Sequence, residues 1–185
     1  MRELRLHSGV NDREMDPKQE QLALECKRQS ENCLYTSTSL FIWLRWLRYL
    51  RIAFVAMPLI LGSIAGWKLL ASSDLQSVKV LVAVCALSAG LLPSIYAALK
   101  YDDQLEHCKL LTGEFKNLRD RFRQAALVSS LKPFEEFETD FQKLMDRLEA
   151  ARAHSYTAPE WCFRLAQRKI KSGDYDYDVD AKEKA

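Results

Sequence analysis

Three histidines are the side chains best suited to acid–base chemistry near neutral pH. They lie far apart in the chain, at His7, His107 and His154. The sequence contains no G-x-S-x-G, Walker or H-E-x-x-H motif. Two pairs of adjacent carboxylates, at 102–103 and 135–136, are expected to lie on solvated helix faces or at helix ends. We therefore predict no catalytic residue, and the chain does not read as an enzyme.

Cysteine is the other residue type that can carry chemistry here. The five cysteines are widely spaced and odd in number: Cys26, Cys33, Cys85, Cys108 and Cys162. No C-x-x-C pair and no Cys/His cluster occurs, so neither a disulfide framework nor a zinc site is indicated. We expect reduced thiols, no metal and no cofactor.

A ladder of arginine and aromatic residues precedes the first apolar stretch. Three arginines recur every third residue with aromatic rings between them: Trp43, Arg45, Trp46, Arg48, Tyr49 and Arg51. Such rings and cations lie at the headgroup level of membrane proteins. A nucleic-acid surface is the alternative reading, but the apolar stretch that follows directly and the net charge of only +2 disfavour it. We expect the lipid bilayer, and no nucleic acid, as the partner of this ladder.

Residues 52–99 form two apolar runs joined by a short polar turn. We predict transmembrane helices at about 52–73 and 80–99, because each approaches the ~20 residues needed to cross a hydrocarbon core. The arginines of the ladder and Lys100 lie on the same side, so the positive-inside rule places both termini in the cytoplasm of a bacterial inner membrane protein. Neither run contains Asp, Glu or His, which argues against a coupled transporter.

Small residues recur every fourth position in both apolar runs. They are Gly62 and Gly66 in the first run and Ala86, Gly90, Ser94 and Ala98 in the second. Small residues at this spacing let helix backbones approach closely in lipid. We expect these faces to pack within the hairpin or between subunits of a homo-oligomer.

Residues 100–155 carry two apolar seams with heptad-like spacing. The first contains Leu111, Phe115, Leu118 and Phe122, with Cys108 and Ala125 at its ends, and the second contains Phe134, Phe137, Phe141, Leu144 and Leu148. Spacings of three and four predict helices that pack through these side chains. We expect an antiparallel helical hairpin in the cytoplasm, with the phenylalanines in its core.

The remaining segments flank these units. Residues 1–15 read as a flexible leader, and 16–51 as N-terminal amphipathic and interfacial approach helices with a break at the hydroxyl-rich 35–39. Residues 156–185 read as a short helix opened by a capping box, Thr157 and Glu160, followed by an acidic and aromatic tail. The tail is expected to be solvated; the alternatives are that it docks as an edge strand or lies on a basic surface of a partner. The fold class is therefore all-α, an integral membrane two-transmembrane helical hairpin with a cytosolic antiparallel helical bundle or coiled coil.

The order of these features resembles the SLATT domain, a two-transmembrane effector domain of bacterial nucleotide-sensing conflict systems. The resemblance covers about residues 17–180 and rests on the sequence Cys-Leu-Tyr-Thr-Ser at 33–37, the approach helix, the hairpin, the helical pair, the segment at 157–160 and the segment at 166–175. It implies an effector that oligomerises and forms pores in antiviral defence, causing growth arrest or cell death by abortive infection.

Two functions follow as hypotheses. The first is a pore-forming or membrane-disrupting effector, triggered by a nucleotide second messenger or a separate sensor protein, since the chain carries no sensor domain of its own. The alternative is a membrane-anchored helical adaptor or scaffold without a conducting pore. Both explain the seams, and they differ in whether ions cross the membrane.

Overall fold

The computed structural model describes residues 16–70, 76–155 and 157–175, and within these ranges the chain is helical without strands. The helices are α1 (Pro17–Leu70), α2 (Gln76–Ala98), α3 (Tyr101–Leu127), α4 (Phe134–Ala153) and α5 (Glu160–Lys171), with a short 3-10 turn at Ser129–Leu131. The expected leader, most of the expected tail and residues 71–73 of the first apolar run lie outside the described residues.

Helix α1 is continuous for 54 residues. The predicted break at 35–39 is wrong. The hydroxyl of Thr36 donates to the carbonyl of Asn32 at 2.9 Å, and that of Ser37 donates to the carbonyl of Leu34 at 3.1 Å. Hydroxyls satisfied on their own helix in this way do not need to cap a new one. Residues 37–40 are also buried, so tertiary packing favours the continuous helix.

The ends of α1 and α5 show how well local signals specify helix boundaries. The carboxylate of Asp16 accepts a hydrogen bond from the backbone of Lys18 at 3.1 Å, as expected for an N-cap. The capping box predicted from Thr157 is wrong, because α5 begins at Glu160 and that carboxylate pairs with Arg164 at 2.6 Å. Gly173 ends α5 in the left-handed conformation, with φ 83°.

Helices α1 and α3 run antiparallel along the bundle. Three hydrogen bonds mark the register: Gln19 Nε2 to the carbonyl of Ser130 at 2.5 Å, Ser30 Oγ to the carbonyl of Arg119 at 3.1 Å, and Cys108 Sγ to the carbonyl of Leu40 at 3.6 Å. As the residue number on α1 rises, that of its partner falls, from Ser130 in the 3-10 turn after α3 to Arg119 and Cys108 within α3. Helix α3 therefore returns along residues 17–51 of α1, which we call its polar half.

The core of the bundle lies between α1 and α3, with α4 and α5 packed on the outside. The most extensive packing of α3 is with α1, whereas we expected α4 to be its main partner. Helix α4 contacts α3 through the rings of Phe122 and Phe141, 6.2 Å apart, and through the ion pair of Arg147 with Glu114 at 2.6 Å. The difference arises because α1 carries an apolar face of its own.

Helix α2 packs against residues 52–70 of α1, which we call its apolar half. Phe54 and Tyr96 are in ring contact at 5.8 Å, and the buried residues of α2 and of positions 52–67 of α1 are Cys85 and Ala65. Most of the large apolar side chains on α2 and on residues 52–67 are exposed in the isolated chain. Both helices are long and apolar enough to cross a membrane.

Candidate membrane-proximal site

The arginine and aromatic ladder divides between two environments. Arg45, Arg48 and Arg51 are exposed on α1, as is Tyr49. The guanidinium of Arg45 lies 5.3 Å from the centre of the Phe41 ring. The cationic part of the ladder therefore faces away from the bundle core.

The two tryptophans of the ladder anchor α5. Trp161 makes edge-on contacts with Trp43 at 6.1 Å and with Trp46 at 5.9 Å. Edge-to-face aromatic pairs of this kind add about 0.5–1.5 kcal/mol beyond the area that they bury. Trp43 is half-buried by this contact, and Trp46 keeps about half of its surface exposed. These rings thus join two helices, which we did not expect from the sequence.

The junction between α2 and α3 is unusually tight. Only Leu99 and Lys100 separate the two helices, and Lys100 takes the left-handed conformation with φ 46° and ψ 46°. A residue with a β-carbon pays roughly 1–2 kcal/mol for that conformation. Contacts of the neighbouring side chains must offset this cost, and two of them, from Tyr96 and Arg51, are made with the carboxylate of Asp102.

One oxygen atom of Asp102 accepts a hydrogen bond from one other helix and forms an ion pair with a second. Its Oδ1 accepts from the hydroxyl of Tyr96 at 2.7 Å and lies 3.2 Å from Nε of Arg51. Both side chains of the ion pair are about half exposed, so the pair alone contributes at most about 1 kcal/mol. The arrangement joins α1, α2 and α3 at the base of the apolar helices.

Three rings pack against one another at tilted angles close to this carboxylate. The centres of Phe54, Tyr96 and Tyr101 lie 5.5 to 6.2 Å from one another. Tyr101 is only 8% exposed, and its hydroxyl has no hydrogen-bond partner among the described residues. Burial raises the pKa of Tyr101, which keeps the phenol neutral.

An apolar cavity of about 310 Å³ lies between α1 and α2 directly beside these rings. Its walls include Pro58 of α1 and Pro93 of α2, together with Phe54 and Tyr96. Each proline sits inside a helix and removes one backbone donor, which weakens the helix at that point. Both apolar helices therefore carry their weakest point at the same cavity.

The small residues of the apolar helices are open to their surroundings. A β-carbon built at Gly62, Gly66 or Gly90 meets no atom within 4 Å. The other small residues of α2 are exposed as well: Ala86, Ser94 and Ala98. Close packing within the hairpin uses Ala65 and Cys85 instead. The two glycine-containing faces are uncovered in the single chain.

The two seams differ in how deeply the fold buries them. The α3 seam is fully buried at Leu111, Phe115, Leu118 and Phe122. In the α4 seam Phe137 and Leu148 are buried, and the partly buried members are Phe134, Phe141 and Leu144. This gradient follows from the position of α4 at the outside of the bundle.

Sequence reasoning missed the apolar face of α1. Cys26, Cys33, Leu40 and Leu47 recur every seven residues, and each is at most 2% exposed. A heptad search that counted cysteine as apolar would have found them. Burial raises the pKa of Cys26 and of Cys33 to about 11, so both thiols are neutral core residues.

No metal-binding group of titratable side chains appears in the described ranges. They contain no group of three or more His, Cys, Asp or Glu side chains that could hold a metal ion.

No protein-family model, curated protein or solved structure matches the chain. The SLATT resemblance therefore stands on the order of the sequence motifs alone.

Proposed function

We propose that the chain is a pore-forming or membrane-disrupting effector of a bacterial anti-phage defence system, of the SLATT type. In this proposal α2 and the apolar half of α1 span the inner membrane as a hairpin, and both termini lie in the cytoplasm. Protomers assemble as a homo-oligomer, and a nucleotide-sensing partner or a nucleotide second messenger triggers them. The observation that carries the proposal is the uncovered glycine face on each apolar helix.

The dimensions of the hairpin support insertion in a bilayer. Helix α2 has 23 residues and is therefore about 35 Å long, against a hydrocarbon core of about 30 Å. Exposed apolar side chains cover both helices, and the exposed arginines begin where the apolar half of α1 ends. This is the distribution of a membrane segment and its cytoplasmic flank.

The glycine faces support assembly between chains. Lipid tails are as apolar as leucine, so helices associate in a bilayer through close packing and not through the hydrophobic effect. Gly62, Gly66 and Gly90 leave room for a second backbone, and no atom of the described residues fills it. A second protomer is the partner that these faces fit.

An adaptor without a pore is the second candidate, and one surface favours it. Leu127, Val128 and Leu131 are 55–74% exposed at the end of the bundle farthest from the apolar helices. Exposed apolar side chains grouped in this way are typical of a protein-binding surface. An adaptor would bind a cytosolic protein there and conduct no ions.

The decisive experiment measures assembly and ion flux together. The chain is induced in bacteria that are then infected with phage, membrane potential is followed with a dye, and oligomer size is measured after extraction into nanodiscs. The effector proposal expects a closed oligomer and loss of potential on infection. The double variant Gly62→Leu/Gly66→Leu should lose both, whereas Ala53→Leu, on an exposed position of the same helix, should keep both.

The possible outcomes separate the two candidates. A stable oligomer with unchanged potential, or a monomer that co-purifies with a cytosolic protein, would overturn the effector proposal in favour of the adaptor. Loss of that co-purifying protein in Leu131→Asp would place its binding site at the end of the bundle.

A further inference from the structure

We propose that the acidic and aromatic tail after Tyr175 docks, as an extended segment of the same chain, in the groove between α1 and α3. This inference does not depend on the function proposed above. It concerns a surface of the bundle between α1 and α3, and its occupant is residues 176–180, whose sequence is Asp-Tyr-Asp-Val-Asp.

The groove begins as a cavity of about 210 Å³ that already contains part of the C-terminal segment. Tyr175 lines it together with Leu34 and Phe41 of α1 and Thr112 of α3. The left-handed turn at Gly173 reverses the chain after α5, with the backbone of Asp174 donating to the carbonyl of Lys169 at 3.3 Å. The fold therefore directs the last described residue into the mouth of this groove.

The α3 side of the groove is cationic. Lys116 and Arg119 line the same cavity as Tyr175. They belong to a single stripe on α3, formed by residues spaced three or four apart: Lys109, Thr112, Lys116, Arg119 and Arg123. Residues at this spacing share one face of a helix. The stripe therefore extends positive charge along the groove in both directions from Tyr175.

The α1 side of the groove is apolar and hydroxyl-lined. Leu34 and Phe41 provide the apolar surface, and Ser37 and Thr38 provide hydroxyls that are less than a tenth exposed. An occupant of this groove needs negative charge on one side and apolar or aromatic groups on the other. The cationic side on α3 and the apolar side on α1 face each other across the same groove.

The tail has this two-sided pattern when it is extended. Successive side chains of an extended segment point to opposite sides, so Asp176, Asp178 and Asp180 share one side while Tyr177 and Val179 share the other with Tyr175. Five residues reach about 17 Å at 3.3 Å per residue. The seven-residue step from Lys116 to Arg123 covers about 10 Å along α3. Three carboxylates can thus lie along the cationic stripe while Tyr177 and Val179 contact α1.

The test places a photoreactive p-benzoylphenylalanine at Tyr177 in the full-length chain and maps the crosslinks by mass spectrometry. The proposal expects crosslinks within one chain, to peptides that contain Phe41 or Thr112. Crosslinks between two chains, crosslinks to lipid, or an absence of intramolecular crosslinks would each overturn it.

Charge variants test the recognition itself. Because each exposed ion pair contributes about 0.2–1 kcal/mol, the tail variant Asp176→Asn/Asp178→Asn/Asp180→Asn should lower the crosslink yield about tenfold. The groove variant Lys116→Glu/Arg119→Glu should do the same. A control, Arg121→Glu/Lys143→Glu, reverses two cations that line a different cavity between α3 and α4 and should leave the yield unchanged. An unchanged yield in the tail variant, which leaves the bundle intact, would overturn the charge-based recognition.

Discussion

Arg51 and Asp102 form an ion pair, with Nε 3.2 Å from Oδ1, at the point where the polar and apolar halves of α1 meet. The pair joins α1 to the first turn of α3, and the same oxygen of Asp102 accepts the hydroxyl of Tyr96 from α2. Three helices therefore depend on one carboxylate, and this makes its removal more costly than removal of either partner.

The first prediction concerns this carboxylate. Asp102→Ala should lower the free energy of unfolding by about 1–2 kcal/mol more than Arg51→Ala, because it also removes the acceptor of the Tyr96 hydroxyl. Chemical denaturation followed by circular dichroism in detergent measures both. Asp103→Ala, at the neighbouring exposed position, is the control and should change stability little. Equal losses for Asp102→Ala and Asp103→Ala would contradict the shared role of the carboxylate.

A pair of tyrosine variants separates a satisfied hydroxyl from an unsatisfied one. Tyr101→Phe removes a buried hydroxyl that has no partner in the described structure, so stability should stay constant or rise. Tyr96→Phe removes a hydroxyl that donates to Asp102 and should cost about 1 kcal/mol or more. Both variants keep their rings in the aromatic stack. The midpoint of thermal unfolding should therefore fall in Tyr96→Phe and stay constant or rise in Tyr101→Phe, and a larger loss in Tyr101→Phe would refute this assignment.

The core between α1, α3 and α4 predicts a large truncation effect at Phe122. Its side chain is fully buried and packs edge-on against Phe141. Phe122→Ala should cost about 3–5 kcal/mol through lost burial and the cavity that remains. Leu110→Ala, on the same helix at a position 65% exposed, should cost little. Similar losses at the two positions would show that α3 presents a different face to its neighbours.

The tryptophan contacts predict that α5 can be released locally. Trp161→Ala removes the ring that contacts both Trp43 and Trp46. It should let α5 unfold locally, so that trypsin cleaves at its basic residues while α3 stays protected. Limited proteolysis with mass spectrometry measures this. Trp67→Ala, at a position of α1 that is 74% exposed, should not alter cleavage in α5. Unchanged cleavage in Trp161→Ala would mean that other contacts retain α5.

The buried thiols predict a stability loss at high pH. Burial raises the pKa of Cys26 and of Cys33 from 9.0 to about 11, so the folded state holds protons that the unfolded state has released. Their contribution is fully present below pH 9 and is lost as pH rises through about 11. Urea unfolding at about pH 8 and about pH 10.5 should show a steeper decline in the parent chain than in Cys26→Ala/Cys33→Ala, because the variant lacks these two groups. Parallel declines would exclude the thiols as the cause.

The sequence predicts helix identity well where the apolar spacing is unambiguous. The seam from Leu111 to Phe122 identifies α3 and its buried face, and the uncharged runs identify the two apolar helices. The seam does not identify its partner, because any apolar face of matching length fits it. Helix α1 is that partner because Cys26 and Cys33 belong to its apolar face and bury completely. A heptad search that does not count cysteine as apolar leaves them out.

Local signals fail where tertiary packing competes with them. Thr36 and Ser37 are typical of a helix cap, yet each hydroxyl bonds one turn back and the helix continues, since residues 37–40 are needed in the core. At Lys100 the local sequence gives no signal at all, because nothing in it indicates a left-handed residue. The ion pair, the hydroxyl and the ring stack around Asp102 determine it, and these partners come from distant positions.

The uninterrupted length of α1 has a mechanical consequence. A helix of 54 residues is about 80 Å long, and one half belongs to the bundle core while the other carries Gly62, Gly66 and the proline cavity. If the bundle rotated about the axis of α1, the face that carries Gly62 and Gly66 would rotate by a similar angle, because both parts belong to one continuous helix. A rigid α1 would therefore couple the orientation of the bundle directly to that of the apolar helices, and a kink at Pro58, the proline inside α1, would weaken this coupling.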